Sequence, residues 1–570
     1  MRHGHFGRMM VCGTAMVAAL WSAGIKAEDE AVPADRLLPP GVLLHVRISD
    51  VSDLRERLPE TGFGQMYKDG SMDKVREQIE KGFEQASEQA GKELGFPISE
   101  LLNLPQGEFC LSLLQPAGRN LAGVAFLDIG DQESTLDKAL AKLDEGLTKS
   151  GATKKSETVE EVEVTIYEFP KADSEEKNTF CYFVADGIMV AGSDLGVLSD
   201  VLSRWDGDSD DVLAEEEVYS YIREKCATRS EGSSVVEWYV DPMGLITAAL
   251  NSSEELSTQA LMVSAYLPTL GLDKFKAMGG NVDVAEGDYD VHGKSLLYVD
   301  QPTTGVLRAM ECPAIDLAPP AWVSAATPQY ASYNWDIHGA YDAITEMVDT
   351  LMGQPGFAGK QVDQAATQAG FHPKKDLIDH LDGRVVMAMD IDPENEQMPQ
   401  KYLFALKLKD TDAFRETLGI ILAQAGGAVT EREFEGTKIY DVQAPGQPIS
   451  PAFSIAKDYL MFGTSAEMVE AAVRTSSDDS LADSEGFKSI AELMPDAVSA
   501  ITYADLAKQL KPSYEMLRSG KLDGLTEGAF DFSIIPEFDK IEKFFSVSGG
   551  YTIPDEKGVF TETFMFAPEE

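Results

Sequence analysis

The chain has 570 residues, 44% of them hydrophobic and 25% charged, which is enough apolar material for more than one buried core and too much for a disordered chain. Acidic residues number 96 against 48 basic ones, a net charge of −48 at pH 7. That field repels phosphate backbones and anionic lipid surfaces, so nucleic-acid binding is excluded as a function.

At the N-terminus, Arg2 and Arg8 precede the apolar stretch "MMVCGTAMVAALW" and the small residues "SAGIKA". This is the pattern of a secretory signal peptide, with an apolar core too short to span a bilayer. Cleavage after Ala27 is expected, leaving an exported chain bound for the periplasm, the cell surface or the medium. No later apolar run is long enough for a transmembrane segment. Four cysteines follow the leader, Cys110, Cys181, Cys226 and Cys312. Export permits disulfides in any of three pairings, and a buried free thiol accounts equally well for Cys110 and Cys181.

From Leu37 onward the chain is written twice. "LAGVAFLDIGDQESTLDKAL" at Leu121 has a counterpart in "KYLFALKLKDTDAFRETL" at Lys401, each a strand, an Asp in capping position and an amphipathic helix. "YFVADGIMVAGS" at Tyr182 is matched by "FSIAKDYLMFGT" at Phe453, an apolar run, a polar turn and a second apolar run. "VEWYVDPMGLI" pairs with "AITYADLAKQL", and "LDKFKAMGGNVDV" with "FDKIEKFFSVSGGYTI". The blocks keep their order. The expected architecture is α+β: a leader over 1–27, a first lobe over 37–310, a Pro-rich joint over 311–322 and a second lobe over 323–568. Hairpins dominate, so each lobe is expected to be a mainly antiparallel sheet with helices packed on one face.

What recurs between lobes is capping and turn residues: Asp131 and Asp410, Asp241 and Asp505, Gly192 and Gly463. No triad, metal cluster or acidic pair recurs with them. One local motif has chemistry. In "DGDSDDVLAEEE", Asp206, Asp208 and Asp210 fall at positions 1, 3 and 5 of an EF-hand loop, Val212 offers a carbonyl at 7, and Glu217 stands at 12. Hard oxygen ligands at that spacing suit calcium, although Asp211 replaces the glycine of the sharp turn. The plain alternative is a polar connection whose carboxylates are solvated. "GDYDVHGKS" has the wrong spacing for a phosphate-binding loop.

"LPPGVLLHVRISDVSDL", "TGFGQMYKDGSMDKVREQI" and "GSDLGVLSDVL" resemble a family of exported bacterial proteins known only as a domain of unknown function. The resemblance implies no activity and no catalytic residue. The expectation is an acidic, two-lobed exported protein that binds a protein or small-molecule partner without catalysis; the alternative is a hydrolase with a carboxylate site in the cleft between lobes. Geometry separates them: two convergent carboxylates or a His beside a Ser in a cleft would favour the enzyme.

Overall fold

The computed structural model describes residues 31–94, 102–116, 118–169, 178–229, 234–251, 265–392, 399–443, 449–520 and 531–568. The expected leader therefore lies outside the described residues. Two compact units divide the chain: Met1–Ala260 with Lys276–Tyr298, and Leu261–Phe275 with Val299–Glu570. Both mix helices with antiparallel sheet, so the class is α+β.

In the first unit the described strands are β1 (Val42–Ile48), β2 (Phe109–Leu114), β3 (Ala122–Asp128), β4 (Thr153–Val159), β5 (Val162–Phe169), β6 (Asn178–Ala185), β7 (Ile188–Gly192), β8 (Val236–Val240), β9 (Phe275–Glu286) and β10 (Tyr289–Val299). Their pairings run β4-β5-β6-β7-β3-β2-β1-β8-β9-β10. The second unit has β11 (Gln329–Asn334), β12 (Leu381–Ile391), β13 (Gln400–Leu408), β14 (Val429–Phe434), β15 (Thr437–Val442), β16 (Ala452–Ala456), β17 (Tyr459–Gly463), β18 (Ala500–Asp505), β19 (Val547–Asp555) and β20 (Gly558–Phe566). Its order is β14-β15-β16-β17-β13-β12-β11-β18-β19-β20, the same as the first, position for position.

Alternation along the strands explains how each sheet is covered. On one face of the first sheet, Val124, Val190, Cys181 and Phe183 are buried, and Leu198 of the helix Leu195–Leu202 lies against Gly192. The opposite face carries Leu127 and Met189, directly paired across β3 and β7. They pack with Leu136 and Leu140 of the helix Glu133–Lys149. The second unit does the same: Val469 of the helix Ala466–Arg474 lies against Gly463, while Leu406 and Leu460 pack with Phe414 and Leu418 of the helix Thr411–Ala425 on the other face. Helices on one face only was the expectation. Both faces are covered, because the strands carry apolar residues at odd and even positions alike, as in "GVAFL" and "YLFAL".

A double glycine sets the close approach of helix to sheet. Gly279 on β9 pairs with Tyr239 and Gly549 on β19 pairs with Tyr503. A Cβ at Gly279 would meet Ile222 Cγ2 at 2.9 Å and the Trp238 carbonyl oxygen at 2.6 Å; at Gly549 it would meet the Thr502 carbonyl at 2.5 Å and run into Ile490. Ile222 and Ile490 belong to the helices Glu217–Lys225 and Glu485–Ala491.

Asp410, Asp241 and Asp505 cap backbone N–H groups three residues on, as their position after a strand predicts. Asp131 does not: the helix begins at Glu133 with Gln132 at its cap. Among the described residues no helix is long and apolar enough to cross a membrane.

Candidate functional site

The first unit buries a group of charges between β1, β2, β8, the helix Glu217–Lys225 and the segment that enters the unit at Ala34. Alternation turns His45 and Arg47 of β1, Cys110 and Ser112 of β2, and Glu237 of β8 to the same side, where all are buried. Register places His45 opposite Ser112, and Arg47 opposite both Cys110 and Glu237.

Arg47 Nη2 lies 2.8 Å from Glu108 Oε2, and its Nη1 lies 3.3 Å from Glu237 Oε2. Arg223 reaches Asp35 Oδ2 at 2.8 Å and Glu237 at 3.6 Å. Glu108 also accepts the Ala34 N–H at 2.8 Å. Burial works against the Arg47 charge, yet Glu108 and Glu237 more than offset it and hold the guanidinium above its ordinary value. Burial likewise pushes the Glu108 carboxyl up, against the pull of Arg47.

Within this group Ser112 Oγ lies 2.9 Å from His45 Nδ1, and Cys110 Sγ lies 3.4 Å from Ser112 Oγ. Tyr219 stands edge-on to the imidazole at 5.7 Å and donates to Asp35. Desolvation lowers the His45 pKa to about 4, with Asp35 pulling the other way, so the ring is neutral at pH 7. This is a Ser–His pair beside a carboxylate. His45, Ser112 and Asp35 are each 0% exposed, and a nucleophile with no route for substrate attacks nothing. The contact satisfies His45 Nδ1 and Ser112 Oγ inside a core, while His45 Nε2 is buried without a hydrogen-bond partner. Its geometry depended on the β1–β2 register and had no local sequence signal.

The acidic loop makes contacts of its own. Asp206 Oδ1 accepts the Asp208 N–H. Arg204 donates to the Asp211 carbonyl oxygen at 2.9 Å and pairs with its carboxylate at 3.1 Å. Asp206, Asp208 and Asp210 are exposed, whereas Val212 is buried. Glu217, exposed at the first residue of its helix, lies 3.5 Å from the Tyr298 hydroxyl. Among the described residues no group of three or more His, Cys, Asp or Glu is arranged to hold a metal ion. None of the four cysteines is in a disulfide, and three of them are buried; burial pushes the Cys181 thiol up to about 12.

An accessible hollow lies in the second unit. It has a volume of about 460 Å³ and is lined by Pro320, Ala321, Trp322, Lys457, Tyr459, Thr475, Ser476 and Ser477. Trp322 and Tyr459 form a buried floor, edge to face at 5.1 Å. Lys457, in the β16–β17 turn with φ of 50°, donates its Nζ to the carbonyl oxygens of Ala472 at 3.0 Å and Thr475 at 2.6 Å. Hydroxyls of Ser476 and Ser477 complete an exposed rim. The signal for this hollow was absent from sequence patterning, since its residues come from three separate segments.

Residues 360–524 match the family model described as "Protein of unknown function (DUF3352)". That span runs from the first turn of the helix Phe357–Ala369 to just beyond the helix Leu506–Arg518 and includes the Lys457–Ser477 side of the hollow. No curated protein and no solved structure matches the chain.

Proposed function

We propose that the protein is exported, sheds Met1–Ala27, and acts as an acidic binding or scaffold protein of two tandem homologous lobes without catalysing a reaction. The observation that carries this reading is the contrast between its two polar sites. The Ser–His pair that could do chemistry is sealed at 0% exposure. The hollow that solvent reaches is walled by aromatic rings, hydroxyls and one lysine, groups that hold a ligand and offer no general base beside a nucleophile. The repeated strand order supports duplication of one lobe, as do the paired glycines Gly279 and Gly549 with their matching isoleucines.

The hydrolase reading has one observation in its favour, the 2.9 Å contact of Ser112 with His45. A single set of measurements decides between them. Protein recovered from outside the cytoplasm should begin at Glu28, and it should turn over neither p-nitrophenyl esters nor p-nitrophenyl glycosides. Turnover that disappears in Ser112→Ala would establish the enzyme and overturn the binding reading.

A further inference from the structure

The hollow of the second unit is lined by Ser476, at a position where the first unit carries a tryptophan. Gly192 and Gly463 end equivalent strands, pair with Cys181 and Ala452, and receive Leu198 and Val469 from the helix that follows. Counting along from these glycines, Ser476 stands where Trp205 stands, Ser454 where Phe183 stands, and Lys457 where Asp186 stands. In the first unit Trp205 lies edge-on to Phe183 at 5.4 Å and donates its indole Nε1–H to Asp186 Oδ2 at 2.8 Å. The turn is the same in both: Asp186 has φ of 49° and Lys457 has φ of 50°. So an indole and its anionic acceptor are replaced by a serine and a cation.

Replacing an indole by a hydroxymethyl removes a large apolar volume, and the space of about 460 Å³ beside Ser476 is within the range of small-molecule pockets. Its floor is aromatic. Its one charged lining group is Lys457, which gives two of three ammonium N–H groups to backbone carbonyls and has one left for a ligand. We propose that this hollow binds a planar aromatic ring bearing a carboxylate. The ring lies against Trp322 and Tyr459. The carboxylate meets Lys457 and the Ser476 hydroxyl; the Ser477 hydroxyl donates to Asp478 Oδ1 at 3.4 Å. The polarity is that of the Trp205–Asp186 pair reversed: the protein supplies the cation and the ligand the acceptor. The inference rests on the two-lobe binding reading above, and it adds the ligand class.

Such a ligand is either a free aromatic acid or the C-terminal aromatic residue of a polypeptide, and the test has an arm for each. Titration of the full mature chain with indole-3-acetate, followed by calorimetry, should give saturable binding at one site. Tryptamine, which keeps the ring and reverses the charge, and acetate, which lacks the ring, should each bind at least tenfold more weakly. Ser476→Trp, which fills the hollow, and Lys457→Gln, which keeps a polar side chain without the charge, should each weaken indole-3-acetate at least tenfold, with circular dichroism confirming that both fold. A short peptide ending in a free tryptophan acid, set against its C-terminal amide, identifies the source. Tighter binding of the peptide acid than of indole-3-acetate assigns a polypeptide terminus; weaker binding assigns a free acid. Absence of saturable binding by both probes overturns the proposal, as does binding left unchanged by both substitutions. Either result leaves the ester and glycoside assay to decide separately whether the protein is an enzyme.

Discussion

Neutral His45 makes the first unit sensitive to acid. Its folded pKa of about 4 lies below the ordinary 6.5, so between those values the unfolded chain binds a proton that the folded one refuses. Stability therefore falls as the pH drops from about 6.5 to 4, by about 3 kcal/mol in total for a shift of this size. Glu108 acts in the opposite sense, because its raised pKa lets the folded state take a proton first. Asp35, Arg47, Arg223, Cys110 and Tyr219 surround the pair. Urea midpoints at pH 7 and pH 4.5 should separate the two contributions. His45→Gln should lose less stability over that interval than the parent, and an equal loss would mean that the imidazole is not what titrates. The cysteines give a second measurement at this scale. Buried thiols are out of a reagent's reach, so without reductant the native chain should show Cys312, the partly exposed one, alone reacting with a disulfide reagent, and all four reacting in guanidinium. In the acidic loop, Asp206 and Asp211 are already engaged with backbone and with Arg204. Millimolar calcium should leave the melting temperature unchanged; a rise that Glu217→Ala abolishes would make the loop a calcium site.

Among the elements, the glycines opposite Tyr239 and Tyr503 are the most exacting. Gly549→Ala places a methyl against Ile490 and the Thr502 carbonyl, and overpacking of this kind costs about 1–3 kcal/mol. Chemical denaturation of Gly549→Ala with Ile490→Val should recover part of that loss, since the shorter side chain vacates the Cδ1 position; no recovery would place the strain on the carbonyl instead. The polar hairpin turns and the capping aspartates after strands were legible because each is a local demand on a few consecutive residues. Asp131 misled for the same reason: an Asp after a strand satisfies the pattern, while the helix begins two residues later on Gln132. Nothing local marks Asp35, whose partner Arg223 is 188 residues away, or the Ser112–His45 contact, which depends on how two strands slide against each other. The hollow was hidden in a different way. One of its lining residues, Ser476, is unremarkable until it is set beside Trp205.

At the scale of the whole molecule, the shared strand order and the division into two compact units imply two cores that melt separately. Each unit has a complete ten-strand order among its described residues and its own packed helices, which is what independent cooperative folding requires. The glycine substitutions test this in the full chain because they are chemically the same change at equivalent places. Calorimetry should resolve two transitions. Gly279→Ala should lower one of them and Gly549→Ala the other, by about 2–4 °C for each kcal/mol in a domain of this size. The double substitution should lower both by the sum of the single effects, as distant sites do. If either substitution moved both transitions equally, or if only one transition existed, the units would form a single cooperative block. The second lobe would then have to be understood as part of the first one's core rather than as a copy free to acquire its own ligand.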